Sequence, residues 1–232
     1  MPSVHEHQID DLATGAAILG TGGGGSPYIG SLVAKEAIRR FGPVELVAIE
    51  DLNDDAFVLP VCAVGAPTIM VEKLWQGDEA LAALTALERF LGKQATHIAC
   101  VEIGGLNSTV PFAVAAARGL PLVDGDLMGR AFPEIQMCMP TLYGIDASPI
   151  ALADEKGNVL ILEALDNRWT ERIARTVTVE LGCQTMAALF PMSGAQAKEA
   201  MVIGTISLAE SLGRTVRLAG AAGTDAIAAV TE

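Results

Sequence analysis

The sequence predicts an α/β fold, a three-layer αβα sandwich around a mainly parallel sheet with a helical C-terminal part. Three observations predict it. The runs Ala56 to Val64 and Ile98 to Ile103 are almost wholly apolar, as strands covered on both faces are, where a half-exposed strand would alternate. Between such runs lie segments of helical period, roughly 10 to 15 residues long, and that alternation is the signature of crossover units and parallel pairing. Finally, 51% of the 232 residues are hydrophobic, enough to cover both faces of such a sheet.

Taken in order, Leu12, Ala16 and Leu19 mark the buried face of a helix from Asp10 to Leu19, with two aspartates at its positive end. A second helix runs from Pro27 through Ile29, Leu32, Val33 and Ile38 to Phe41, where Gly42-Pro43 stops it. Val44 to Ile49 and Ala56 to Val64 read as strands, followed by a helix from Asp78 to Leu91 that ends at Gly92. Ile98 to Ile103 is the next strand, Thr109 to Arg118 a helix closed by Gly119, and Pro121 to Asp124 a short strand. Ile150 to Ala153 and Val159 to Leu162 flank Asp154-Glu155-Lys156-Gly157-Asn158, a hairpin pattern. Thr170 is expected to cap a helix reaching Leu181, Gln184 to Phe190 to form a strand, and Ser193 to open one helix through Ile203, Ile206 and Leu212. Gly220 to Glu232 is Ala-rich. Residues 1–168 are thus expected to form the sandwich domain, and 169–232 a mixed, mainly helical segment packing on it.

Charge and composition narrow the function classes. A net charge of −13 and an isoelectric point near 4.6 repel phosphate backbones, which excludes nucleic acid as the expected partner. No apolar run approaches the roughly 18 residues of a membrane span, and the start of the chain carries His5, Glu6, Asp10 and Asp11 instead of a basic leader, so a cytoplasmic location is expected. Cys62, Cys100, Cys138 and Cys183 are widely spaced with no C-x-x-C pair, which argues against a zinc site or a disulfide scaffold.

Three segments carry candidate chemistry. In Gly20-Thr21-Gly22-Gly23-Gly24-Gly25-Ser26-Pro27, the glycines leave bare backbone and Ser26-Pro27 starts a helix, a combination suited to contacting an anion or a polarised carbonyl. Thr21, Gly22, Gly23, Gly24, Gly25 and Ser26 are the candidate ligand contacts; tight packing between two elements is the alternative. G-x-G-x-x-G is satisfied, but no strand precedes it and no Lys follows it, so no nicotinamide or flavin cofactor is expected. The second segment, Glu102-Ile103-Gly104-Gly105-Leu106-Asn107-Ser108, ends a buried strand, where α/β sheets bind ligands. It offers Glu102 as a catalytic candidate, with Asn107 and Ser108 as ligand contacts or helix caps. In the third, Asp124-Gly125-Asp126 is followed by Arg130 and Glu134. Paired carboxylates can supply a general acid and base, Asp124 and Asp126 could hold a divalent metal, and Arg130 either stabilises developing charge or pairs with Asp126 or Glu134. His5 and His7 sit at a terminus and carry no site.

Leu19 to Gly30 (LGTGGGGSPYIG), Glu102 to Pro111 (EIGGLNSTVP) and Val123 to Gln136 (VDGDLMGRAFPEIQ) together resemble the S-methyl thiohydantoin desulfurase-like family, which is met beside hydantoinase and oxoprolinase-type genes. The resemblance runs from about Ile9 onward. It implies hydrolytic removal of a methylthio group from an S-methylated thiohydantoin and carries the motif residues over as the site, without a role for each. For that chemistry, Asp124 or Asp126 is expected to activate water as general base, and glycine-loop amides or Arg130 to stabilise the developing charge. A non-catalytic, metabolite-binding or complex-forming subunit is the alternative. The partner is then a small cyclic amide or anionic metabolite, with a second copy or a hydantoinase-type enzyme as further partner. Members are longer and end in a β-rich, barrel-like domain, which is expected to be missing here.

Overall fold

A computed structural model describes residues 3–66, 68–73 and 77–231. The elements are β1 (Ser3–Val4), α1 (Ile9–Gly20), α2 (Pro27–Phe41), β2 (Val44–Ala48), β3 (Phe57–Gly65), α3 (Ile69–Glu72), α4 (Glu79–Leu91), β4 (His97–Cys100), α5 (Val110–Arg118) and β5 (Leu122–Asp126). There follow β6 (Ile150–Ala153), β7 (Val159–Leu162), α6 (Asn167–Glu180), β8 (Gln184–Ala188), β9 (Met192–Ser193), α7 (Gly194–Ala200), β10 (Val202–Ile203), α8 (Thr205–Ala222) and α9 (Ala226–Thr231).

The strands form one 10-stranded sheet of order β1-β2-β5-β4-β3-β8-β6-β7, with β10 beside β5 and β9 beside β3. Only β2, β5, β4 and β3 pair in parallel. The expected mainly parallel sheet is therefore corrected to a mixed one: β8 lies antiparallel to both β3 and β6, and the β6–β7 hairpin extends that half. The physical reason is that α6 carries the chain from β7 over β6 to β8, so β8 enters between β3 and β6 running against both. The sequence shows that a helix separates two apolar strands but not which neighbour each strand meets.

Side chains alternate across β3. Leu59 and Val61 pack with Leu84, Val114 and Phe112 from α4 and α5, while Val58, Cys62 and Val64 point to the other face, where Ala174 of α6 and Ala197 of α7 cover them. Helices α1 and α8 cross so closely that backbone meets backbone. A Cβ on Gly15 would stand 1.8 Å from the Ala209 carbonyl oxygen, and one on Gly213 would stand 1.7 Å from that of Asp11. Arg217 then donates two hydrogen bonds of 2.7 Å to the buried Asp11 carboxylate, closing the crossing.

Two helix starts differ from expectation. Asp166, not Thr170, caps α6: its Oδ1 accepts the Trp169 N–H at 2.9 Å, a charged acceptor at a positive helix end, while Thr170 is buried one turn in. The single helix expected from Ser193 is two, α7 and α8, because Val202 and Ile203 leave helical geometry to pair with Asp126 and Gly125 of β5. Gly204, at φ 71°, turns the chain into α8. Among the described residues no helix is long and apolar enough to cross a membrane.

Candidate functional site

The parallel strands β3, β4 and β5 end on one side of the sheet, and the loops that follow them meet the α1–α2 connection there. Thr21, left-handed at φ 48°, ends α1; Ser26 Oγ accepts the Tyr28 N–H at 3.4 Å and Pro27 opens α2. The intervening glycines interlock with the second glycine pair. Gly24 (φ +75°) and Gly105 (φ +61°) approach so closely that a Cβ on Gly105 would lie 2.2 Å from the Gly24 carbonyl oxygen, which accepts the Leu106 N–H at 2.8 Å. Ala131 is the third party: its Cβ would lie 2.7 Å from a Cβ on Gly23 and 2.8 Å from one on Gly104. Much of the bare backbone is thus turned toward protein. The three motifs need small residues where they touch one another.

Beside this junction lies a cavity of about 420 Å³ whose lining includes Gly23, Gly24, Cys62, Glu102, Asn107, Phe132, Glu134, Glu171 and Arg175. Glu102 follows β4 and is 6% exposed. Its Oε1 accepts the Asn107 Nδ2–H at 2.7 Å and its Oε2 the Phe132 N–H at 3.2 Å. Asn107 is held by β3, accepting the Ala63 N–H at 2.6 Å and donating to the Ala63 carbonyl at 3.2 Å. Burial outweighs these bonds and lifts the Glu102 carboxyl to about 7, so it exchanges protons near neutrality.

Of the other expected site residues, Gly23, Gly24, Asn107 and Glu134 share this lining and the rest fall outside it. Asp126 is fully buried, outside the lining, and accepts N–H bonds from Ile103 (2.8 Å), Met128 (3.2 Å) and Gly129 (2.9 Å). It ties the segment after Glu102 to the loop after β5, and burial raises its carboxyl to about 6 despite those donors. Asp124 caps α8, accepting the Ile206 and Ser207 N–H groups at 3.1 and 3.0 Å and the Ser207 hydroxyl. These different duties leave no shared metal seat. Among the described residues no three His, Cys, Asp or Glu side chains are placed to hold a metal ion. Arg130 pairs with neither Asp126 nor Glu134: it donates to Thr21 Oγ1 at 2.9 Å and lies over the Phe132 ring. Ser108 is buried, its hydroxyl bonded to the Gly105 carbonyl at 2.7 Å. Glu134 lines the cavity and accepts from Gln136; Thr21, Gly22, Gly25 and Ser26 stay outside the lining.

Two cavity residues had no mark in the sequence. Glu171 and Arg175, on α6, read as an ordinary surface pair one turn apart. In the fold, Glu171 is buried, accepts the Arg175 Nε–H at 2.6 Å and the Ile135 N–H at 3.0 Å, and Arg175 donates to the Pro133 carbonyl at 2.8 Å. They pin the loop that forms one wall. Cys62 also faces the cavity, and burial, reinforced by the Glu102 charge, pushes its thiol well above the ordinary range. It is a poor nucleophile there.

Residues 7–164 match the S-Me-THD-like N-terminal domain, and residues 165–232 the S-Me-THD-like C-terminal domain. The chain belongs to the S-Me-THD-like family. The expectation that the C-terminal domain is missing is thereby corrected, and the matching segment is mostly helical, with β8 inside the common sheet. A crystal structure of a protein from Chromobacterium violaceum is similar to this chain at TM-score 0.80 and 28% identity, over 95% of this chain and 63% of that one. This chain thus spans less than two thirds of that protein's length. No curated protein matches it.

Proposed function

We propose that the cavity hydrolyses an S-methyl thiohydantoin-type ring, with water replacing the methylthio group at the C=N carbon and Glu102 moving the proton. A water O–H bond breaks toward Glu102 as the new C–O bond forms. The C–S bond then breaks, Glu102 returns its proton to the departing methanethiolate, and the remaining O–H proton passes to the ring nitrogen as C=O forms. Family membership supports the substrate class. The observation that carries the proposal is Glu102 itself: a carboxyl at the cavity wall, oriented by Asn107 and Phe132 and titrating near 7, is suited to accept and return one proton at neutral pH.

Asp126 and Asn107 serve this reading as positioning residues, one holding the backbone after Glu102 and the other its carboxylate. The test is continuous assay of thiol release from a synthetic S-methyl thiohydantoin. Turnover should rise with pH through about 7 as Glu102 ionises, and Glu102→Gln should lower it by roughly 10²–10⁴. Unchanged turnover in the variant would remove Glu102 from the chemistry. Ring binding with no thiol release would support a non-catalytic subunit that acts with a hydantoinase-type enzyme.

A further inference from the structure

The charges on the cavity wall bear on which rings it accepts, an inference that rests on the cyclic-amide reading of this site. Among the described residues the lining holds three carboxylates, Glu102, Glu134 and Glu171, against one guanidinium, Arg175. That guanidinium is already engaged with Glu171 and the Pro133 carbonyl. Arg130 stands outside the lining, turned to Thr21 and the Phe132 ring. An anionic ligand would therefore enter an acceptor-rich wall with an excess of negative charge and no uncommitted side-chain cation. The wall is partly open to solvent, with Phe132 and Pro133 exposed, so that repulsion is felt at low ionic strength and is screened as salt rises. Gly24 is part of the same wall, and its N–H donates to no protein acceptor among the described residues.

We propose that the cavity takes neutral or cationic rings that donate N–H groups to its carboxylates and accept one hydrogen bond from Gly24, and that it rejects carboxylated rings. Cyclic amidines and isothioureas meet that description. An S-methylated thiohydantoin is a cyclic isothiourea, and carboxylates beside it favour protonation of its C=N nitrogen. Water attacks that cation more readily than the neutral ring, and because its ring nitrogen already carries a proton, the O–H proton that the neutral route sends to that nitrogen leaves to solvent as C=O forms.

Three probes of matched ring and different charge test this: methylhydantoin, its aminoethyl analogue and hydantoin acetic acid, titrated calorimetrically into the full chain at neutral pH and low salt. The cation should bind at least as tightly as the neutral ring, and the anion about tenfold more weakly than the cation or worse. Raised salt should narrow that gap, and so should Glu134→Gln, a change at a half-buried loop side chain. An anion bound as tightly as the cation would overturn the charge inference while leaving the ring site standing. Failure of all three rings to bind would overturn the cyclic-amide reading and this inference with it.

Discussion

Glu102 is held in a proton-accepting state at a thermodynamic cost that a melting experiment can read. Its carboxyl stands at about 7 in the fold against an ordinary 4.5, a difference equivalent to about 3 kcal/mol. The sign follows from proton counting. Between those values the folded chain keeps a proton that the unfolded chain gives up, so this group's stabilising contribution is full at low pH and is lost as pH rises toward 7. Glu102→Gln removes the titration. The Tm of the parent minus that of the variant should fall between pH 4.5 and 7 and then level off; a constant difference would mean that Glu102 has an ordinary carboxyl. Asp126→Asn should act differently. The Ile103, Met128 and Gly129 N–H groups all meet Oδ2, and Oδ1 takes a second contact from Gly129; an amide puts a neutral, weaker acceptor at one place and an NH2 donor facing an N–H at the other, at a cost of about 1–3 kcal/mol in a buried site. Denaturant unfolding would measure that loss, and KM should rise as the cavity wall slackens.

At the scale of elements, two glycines of α8 make a direct comparison. A methyl on Gly213 would collide with the Asp11 carbonyl oxygen and force α1 and α8 apart, so Gly213→Ala should destabilise by more than about 2 kcal/mol. Gly220 has nothing within 4 Å of a Cβ, and Gly220→Ala should stabilise by up to about 1 kcal/mol through helix propensity alone. Calorimetry on the two variants checks both signs. The same contrast explains what could be read in the sequence. The period of apolar residues in α1, α2 and α4, with Gly92 and Gly119 as stops, was legible because helix ends are set by local backbone chemistry. Glu171 was not legible: a Glu and an Arg one turn apart look alike whether they face water or a cavity, and only the docking of α6 on the loop after β5 decides it.

For the whole molecule, the place of β8 has the largest consequence. Because it lies between β3 and β6, the segment matching the C-terminal domain supplies an interior strand of the sheet. A chain of residues 1–164 should therefore lack a cooperative thermal transition, its β6–β7 hairpin cut off from the sheet; a sharp, reversible transition in that fragment would show that the two segments fold independently. Within this framework, the amino-acid sequence by itself determined the α/β class, the order of most elements, the three motifs that meet beside the cavity and the net negative charge, since each depends on local pattern or composition. Tertiary structure alone decided that the sheet is mixed, that Asp124 caps a helix while Asp126 ties two loops, and that Glu102 meets Glu171 and Arg175 across a cavity. Those outcomes depend on which strand enters between which neighbours and on how much water each carboxylate keeps. Both are set by contacts between residues distant in the chain, which local pattern does not encode.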